Sequence, residues 1–239
     1  MNTGPFARRI PLFFLAALVA LFSALTALAV SNGHDAHASG SQSHHATARA
    51  AAAPSSAVMS HKEVALRQGM RQLWEDHITW TRLAIISLTT DSPDTEATVG
   101  RLLKNQVDIG NAVKPFYGKA AGNELTRQLR QHILVAADLI AAARAGDEAR
   151  LADAQTRWER NADDIAGVLN SVNPRHWKLA KMKSELRMHL KLTTEEAVAR
   201  LQGNWAADVV AYDEIHRHAL HFADLLSAGI VKQFPKRFR

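Results

Sequence analysis

Met70–Leu88 reads MRQLWEDHITWTRLAIISL. Met70, Leu73, His77, Trp80, Ala84 and Leu88 recur every three or four residues, so they share one face of an α-helix. One histidine stands inside that apolar face. Asp91-Ser92-Pro93-Asp94-Thr95 then breaks the pattern. Val99, Leu102, Gln106, Ile109 and Val113 make the next stripe, ended by Pro115 and Gly118. Leu125, Leu129, His132, Ala136, Leu139 and Ala143 make a third, closed by Gly146 with Asp147 as the next N-cap. Leu151, Ala154, Trp158, Ile165 and Leu169 make a fourth, ended at Asn173-Pro174. A fifth holds Leu179, Met182, Leu186 and His189, and a sixth holds Trp205, Val209, Tyr212, Ala219, Phe222 and Leu226. Thr193 with Glu196 matches a capping box, so a helix either restarts there or runs on to a turn at Gly203-Asn204. No β-branched alternation persists. The chain reads as an all-α antiparallel bundle of about six helices in three hairpins.

The hairpins repeat. His77, His132 and His189 each lie about four helical turns before a break, at Asp91, Gly146 and Gly203. Beyond each break comes a polar pair: Asn105 and Asp108, Asn161 and Asp164, His218 and His221. The spacing from histidine to pair is nearly the same in all three copies. Four turns of helix rise about 21 Å on either arm, so each histidine meets its partner at one height. Three hairpins of roughly 56 residues then put all these groups in one layer.

A histidine on a buried face needs a hydrogen-bond partner, and such a layer fixes register. The same layer is also a candidate metal site. His77, His132, His189 and His218, with His216 as a substitute, are the ligands of a Zn or Cu ion in this reading. Asn105, Asp108, Asn161 and Asp164 orient the rings from behind. No Glu-x-x-His occurs, which argues against a di-iron bundle. Gly-x-Gly-x-x-Gly, phosphate-loop, His-Glu-x-x-His and Gly-x-Ser-x-Gly patterns are absent, so the chain reads as non-enzymatic.

Upstream, Arg8-Arg9 precede an uncharged apolar run, Ile10 to Val30. Residues 1–30 are either a signal peptide, cut at Ala27-Leu28-Ala29 or Ala36-His37-Ala38, or a retained N-terminal membrane anchor. Either alternative places the bundle outside the cytoplasm, in the periplasm or extracellular space. Residues 31–59 read as a disordered Ser/Ala-rich linker holding His34, His37, His44 and His45, which bind Cu or Zn loosely. Cleavage after Ser31 would expose Asn32-Gly33-His34, a square-planar Cu(II) or Ni(II) chelator. Residues 60–235 form the bundle and 236–239 a basic tail. The chain of 239 residues has no cysteine, which excludes disulfides and thiolate metal sites. Its net charge of +6 is compatible with a membrane or cell-envelope surface. No basic helix or aromatic-interleaved patch indicates nucleic acid.

Leu73–Arg82 (LWEDHITWTR), Asp108–Pro115 (DIGNAVKP) and Gly229–Pro235 (GIVKQFP) resemble a group of small uncharacterised bacterial exported helical proteins, over about residues 62–235. Members are sometimes labelled glycosyltransferases. The resemblance implies a helical bundle and no particular chemistry, since this chain has neither an Asp-x-Asp motif nor a nucleotide-sugar-binding pattern.

Overall fold

The structure is a computed structural model that describes residues 59–239. The signal or anchor segment and the linker histidines His34, His37, His44 and His45 lie outside the described residues. The described chain is an all-α bundle. Its helices are α1 (His61–Thr90), α2 (Thr95–Ala145), α3 (Glu148–Val172), α4 (Leu179–Leu201) and α5 (Trp205–Gln233), followed by a short 3₁₀ turn, Pro235–Phe238. No described helix is long and apolar enough to cross a membrane.

Helix starts follow local chemistry. The side chains of Ser60, Asp147 and Asn204 accept the N–H groups of Glu63, Arg150 and Ala207, satisfying otherwise unpaired donors. The three turns at one end are alike. Asp91, Gly146 and Gly203 all adopt left-handed backbone, with φ of 57°, 66° and 67°. These are the three breaks that follow the stripe histidines at equal spacing.

Helix α2 is one element with a fold-back. Gly118 has φ 84° and ψ 169°, outside helical geometry. The arms on either side turn against each other, and a Cβ on Gly110 would sit 2.6 Å from the Gly122 carbonyl oxygen. Arg130 on one arm donates to the Leu103 carbonyl on the other. Six helical arms therefore form three hairpins. The ring closes because α1 packs on both α2 and α5, α2 on α3, α3 on α4, and α4 on α5. At the opposite end Asn173 donates its amide to Tyr117 Oη (3.2 Å) and to the Gly229 carbonyl (3.0 Å). Both partners are 56 residues away in sequence, so equivalent points of three repeats touch directly.

One expectation needs correction, and three others are made more definite. Of the two alternatives at Thr193, the structure takes the continuous one: helix α4 runs without a break through Thr193–Glu196 to a turn at Gly203-Asn204. Thr193 and Thr194 bond back to the carbonyls of His189 and Leu190 instead of capping. Trp205 and Val209 are 56% and 52% exposed. The buried face at the start of α5 carries Asp208, Ala211 and Ile215, because Asp208 turns inward to meet arginines. The stripe does end at Pro115 and Gly118, and the chain folds back at Gly118 with no intervening loop. Within the basic tail, residues 236–239, Phe238 is buried and stacks on Phe116.

The close approach of the α2 arms yields a test. Gly122→Ala puts a methyl group against the Gly110 carbonyl and should lower unfolding free energy by about 1–3 kcal/mol. Gly100→Ala, with nothing within 4 Å, should leave stability unchanged or raise it by up to about 1 kcal/mol. Urea denaturation of both variants checks the pair.

Candidate functional site

The imidazoles of His77, His132, His189 and His218 come together, one from α1, one from the second arm of α2, one from α4 and one from α5. His189 sits among the other three. Its ring centroid is 5.7 Å from that of His77, 5.8 Å from His132 and 6.3 Å from His218. His77, His132 and His189 are buried. A group from the returning arm faces each: Gln106 faces His77, Asn161 faces His132 and His218 faces His189.

The hydrogen bonds fix the proton positions. The Gln106 amide donates to His77 Nδ1 at 3.2 Å, so the proton of His77 is on Nε2. His132 is held at both nitrogens. Its Nδ1–H donates to Asn161 Oδ1 at 2.9 Å, and Trp158 Nε1–H donates to its Nε2 at 3.2 Å. Asn161 is oriented in turn by donating to Gln128 Oε1 and to the Gln128 carbonyl. His218 donates from Nε2 to the Glu185 backbone carbonyl at 3.1 Å. Its Nδ1 is then the unprotonated nitrogen and lies 3.7 Å from Oε2 of the same Glu185. His221 Nε2 lies 4.0 Å from the other oxygen, which also pairs with Lys181. Among the described residues nothing hydrogen-bonds the His189 ring; burial and the neighbouring histidines His77, His132 and His218 push its titration down. Gln106 Oε1 and Trp74 Nε1, beside His77, are likewise buried without partners.

Burial keeps these rings neutral. It holds His77 and His132 down at about 4, with the charge on His132 adding to the effect on His77. It pushes His189 and His218 down as well. The neutral imidazole is the form that ligates a metal. Among the described residues, however, no three His, Asp or Glu donors are already converged on one point.

Three residues expected at the site stand elsewhere. Asp108 is on the surface, paired with Lys104. Asp164 is exposed. A carboxylate on those faces keeps its water, and the neutral amides turn inward. His216 lies outside the cluster and bonds Glu75 Oε1 at 2.7 Å. Asn105 is buried but gives its amide to the Leu73 carbonyl and accepts from Gln106, so it braces the ring's partner. Glu185, whose four-residue spacing to His189 suits a surface pair as well as a site, is buried against His218. Trp158 acts as a donor to His132 as well as core.

Beyond the layer lies an apolar cavity of about 40 Å³, lined in part by Thr81, Ile85, Leu102, Trp158 and Ala197. Past it, Arg82 bridges Asp208 (2.7 and 2.9 Å) and Glu196 (2.7 Å), and Arg200 also reaches Asp208. Burial raises the Glu196 carboxyl to about 7. These partners are 114 and 126 residues from Arg82, beyond any local spacing signal.

The depressed histidines fix a pH dependence. Unfolded histidine takes a proton near 6.5, whereas folded His77 and His132 do so near 4. Between those values the unfolded chain binds more protons. The stabilisation is complete above about pH 6.5 and drains as pH falls toward 4, by on the order of 3 kcal/mol per histidine. In metal-free protein the urea midpoint should fall between pH 7 and pH 5. His77→Gln and His132→Gln should each make that fall shallower. A midpoint that does not move contradicts the burial of neutral rings.

No protein-family model, no curated protein and no solved structure compared with this chain matches it.

Proposed function

We propose that this chain is an exported, non-enzymatic helical-bundle protein that binds a Cu or Zn ion at the His218 side of its histidine layer. One observation carries the reading: two acceptors face each other. The unprotonated Nδ1 of His218 lies 3.7 Å from Glu185 Oε2, while Lys181 holds Oε1, and a cation between Nδ1 and Oε2 relieves the approach of two acceptors. Ligand–metal distances of about 2.1 Å in tetrahedral geometry put neighbouring donors about 3.4 Å apart. His218 and Glu185 are close to that already. His221 Nε2, 4.0 Å from the other carboxylate oxygen, reaches the same ion after a side-chain shift. His189, free of competing hydrogen bonds, stands behind as the inner donor after ring rotation.

His132 has no part in this set, because both of its nitrogens are engaged. It supports a second role for the layer, the fixing of register between hairpins. Export rests on the basic start, apolar run and small-residue sites of residues 1–38. It places the ion site in the periplasm or outside the cell.

Elemental analysis of chelator-stripped, untagged protein after incubation with Zn²⁺ or Cu²⁺ should find one tightly held ion in the bundle. The bound form should melt higher, by the equivalent of about 2.7 kcal/mol at a hundredfold excess over Kd. Glu185→Gln and His218→Gln should each weaken binding on the order of tenfold or more. Deleting residues 31–58 should leave this ion in place. Metal that survives both substitutions but disappears with that deletion contradicts the reading and assigns binding to the linker histidines.

A further inference from the structure

The bundle is electrically lopsided. Residues 59–66, 114–121, 171–181 and 231–239 carry ten lysine and arginine side chains and one carboxylate side chain, Glu63, which Arg67 holds. These segments share one end. Lys62 Nζ donates to the Arg239 carbonyl, Arg237 to the Pro115 carbonyl, Tyr117 Oη to Gln233 Oε1, and Gln233 to the Val172 carbonyl. The other end, residues 86–97, 142–150 and 198–208, carries six carboxylates against three arginines. A 30-residue helix separates the two by about 45 Å, several screening lengths, so each end acts as its own charge.

The basic end is also aromatic. Phe116 packs on Phe234 and Phe238, with centroids 5.8 and 6.0 Å away, and the Arg237 guanidinium lies 4.6 Å over the Phe116 ring. Arg175 and Lys178 stand exposed just before helix α4, whose first turn holds no acidic residue to offset the helix dipole. Cations there work against the local helix, so their placement favours a contact over stability. Leu179 and Met59 add exposed apolar side chains to the same end.

We infer that this end docks onto an anionic phospholipid surface. Charge complementarity argues for it, because clustered lysines and arginines near a bilayer are held by anionic headgroups. So does the path of the chain. Helix α1 begins at His61 on this end, and the uncharged apolar run Ile10–Val30 precedes it by a stretch of only about 30 residues. A retained anchor would deliver the basic end to the membrane first. A cleaved signal leaves the headgroup contact as the whole of the attraction. The metal-site reading is not needed for either case.

The absence of native cysteine allows clean single-site labelling of the full chain. A fluorophore goes on Ala120→Cys at the basic end and, separately, on Gln202→Cys at the other; both positions are exposed. The probes are vesicles of phosphatidylcholine with and without phosphatidylglycerol, doped with nitroxide-labelled headgroups. Quenching is expected at position 120 with phosphatidylglycerol present and not at 202. It should fade as salt rises from about 0.05 to about 0.5 M. Lys178→Glu/Lys232→Glu/Lys236→Glu should weaken the contact by about tenfold or more while melting normally. Equal quenching at both positions, quenching on phosphatidylcholine alone that ignores salt, or binding to purified cell-wall polymer in place of vesicles would each overturn the inference.

Discussion

An imidazole that leaves water must find partners for its two ring nitrogens inside the protein or stay neutral without them. Three such rings, on three different hairpins, govern how this bundle is assembled. Each hairpin must reverse about four helical turns beyond its histidine, because only then does the partner on the returning arm reach the same height. The left-handed turns at Asp91, Gly146 and Gly203 supply those reversals. The contacts among Tyr117, Asn173 and Gly229 at the far end show the same period from the other side. A slip of one helical turn in any hairpin would strand a buried ring against aliphatic side chains.

The three copies solve that constraint to different degrees. In the second hairpin both nitrogens of His132 are satisfied, one by Asn161 and one by Trp158. In the first, Gln106 satisfies one nitrogen of His77 and leaves its own Oε1 unpaired. In the third the partner is itself a histidine, His218, which turns to the Glu185 carbonyl and leaves His189 unbonded. Leu103 and Ile215 occupy the places equivalent to Trp158, so neither of the other two rings has the indole N–H donor that His132 has, although Trp74 packs edge-on against His77. Satisfaction thus declines from a closed structural node to an open set of lone pairs beside a buried carboxylate. That gradient separates the part of the layer that holds register from the part with coordination chemistry to offer.

Much of this is legible in the chain. Helical arms, reversals and the common height of His77, His132 and His189 follow from spacing, because helix geometry converts residue number into length. Spacing alone does not tell which member of an Asn–Asp pair turns inward. Asp108 and Asp164 stay in water because a carboxylate loses more on burial than an amide does. Gln106 stands in an apolar stripe, where a buried amide is easily passed over. Yet it follows His77 by 29 residues, as Asn161 follows His132, so strict spacing marks it where near-equal spacing picks Asn105. The inward Asp208 and the exposed Trp205 arise from Arg82, which lies 126 residues before Asp208, and one sequence carries no signal for such a pairing. Glu185 is hidden for the same reason, since the side chains that cover it come from another helix.

The central claim is that His77, His132 and His189 are neutral and buried in one layer of the folded protein. Histidine ring ¹⁵N and ¹³C shifts, followed by NMR as pH is lowered in metal-free protein, read this directly. The account predicts that His77 and His132 stay uncharged through pH 6 and 5, with the proton of His132 on Nδ1 and that of His77 on Nε2. Ordinary titration of these rings near 6.5, with both tautomers populated, would contradict it.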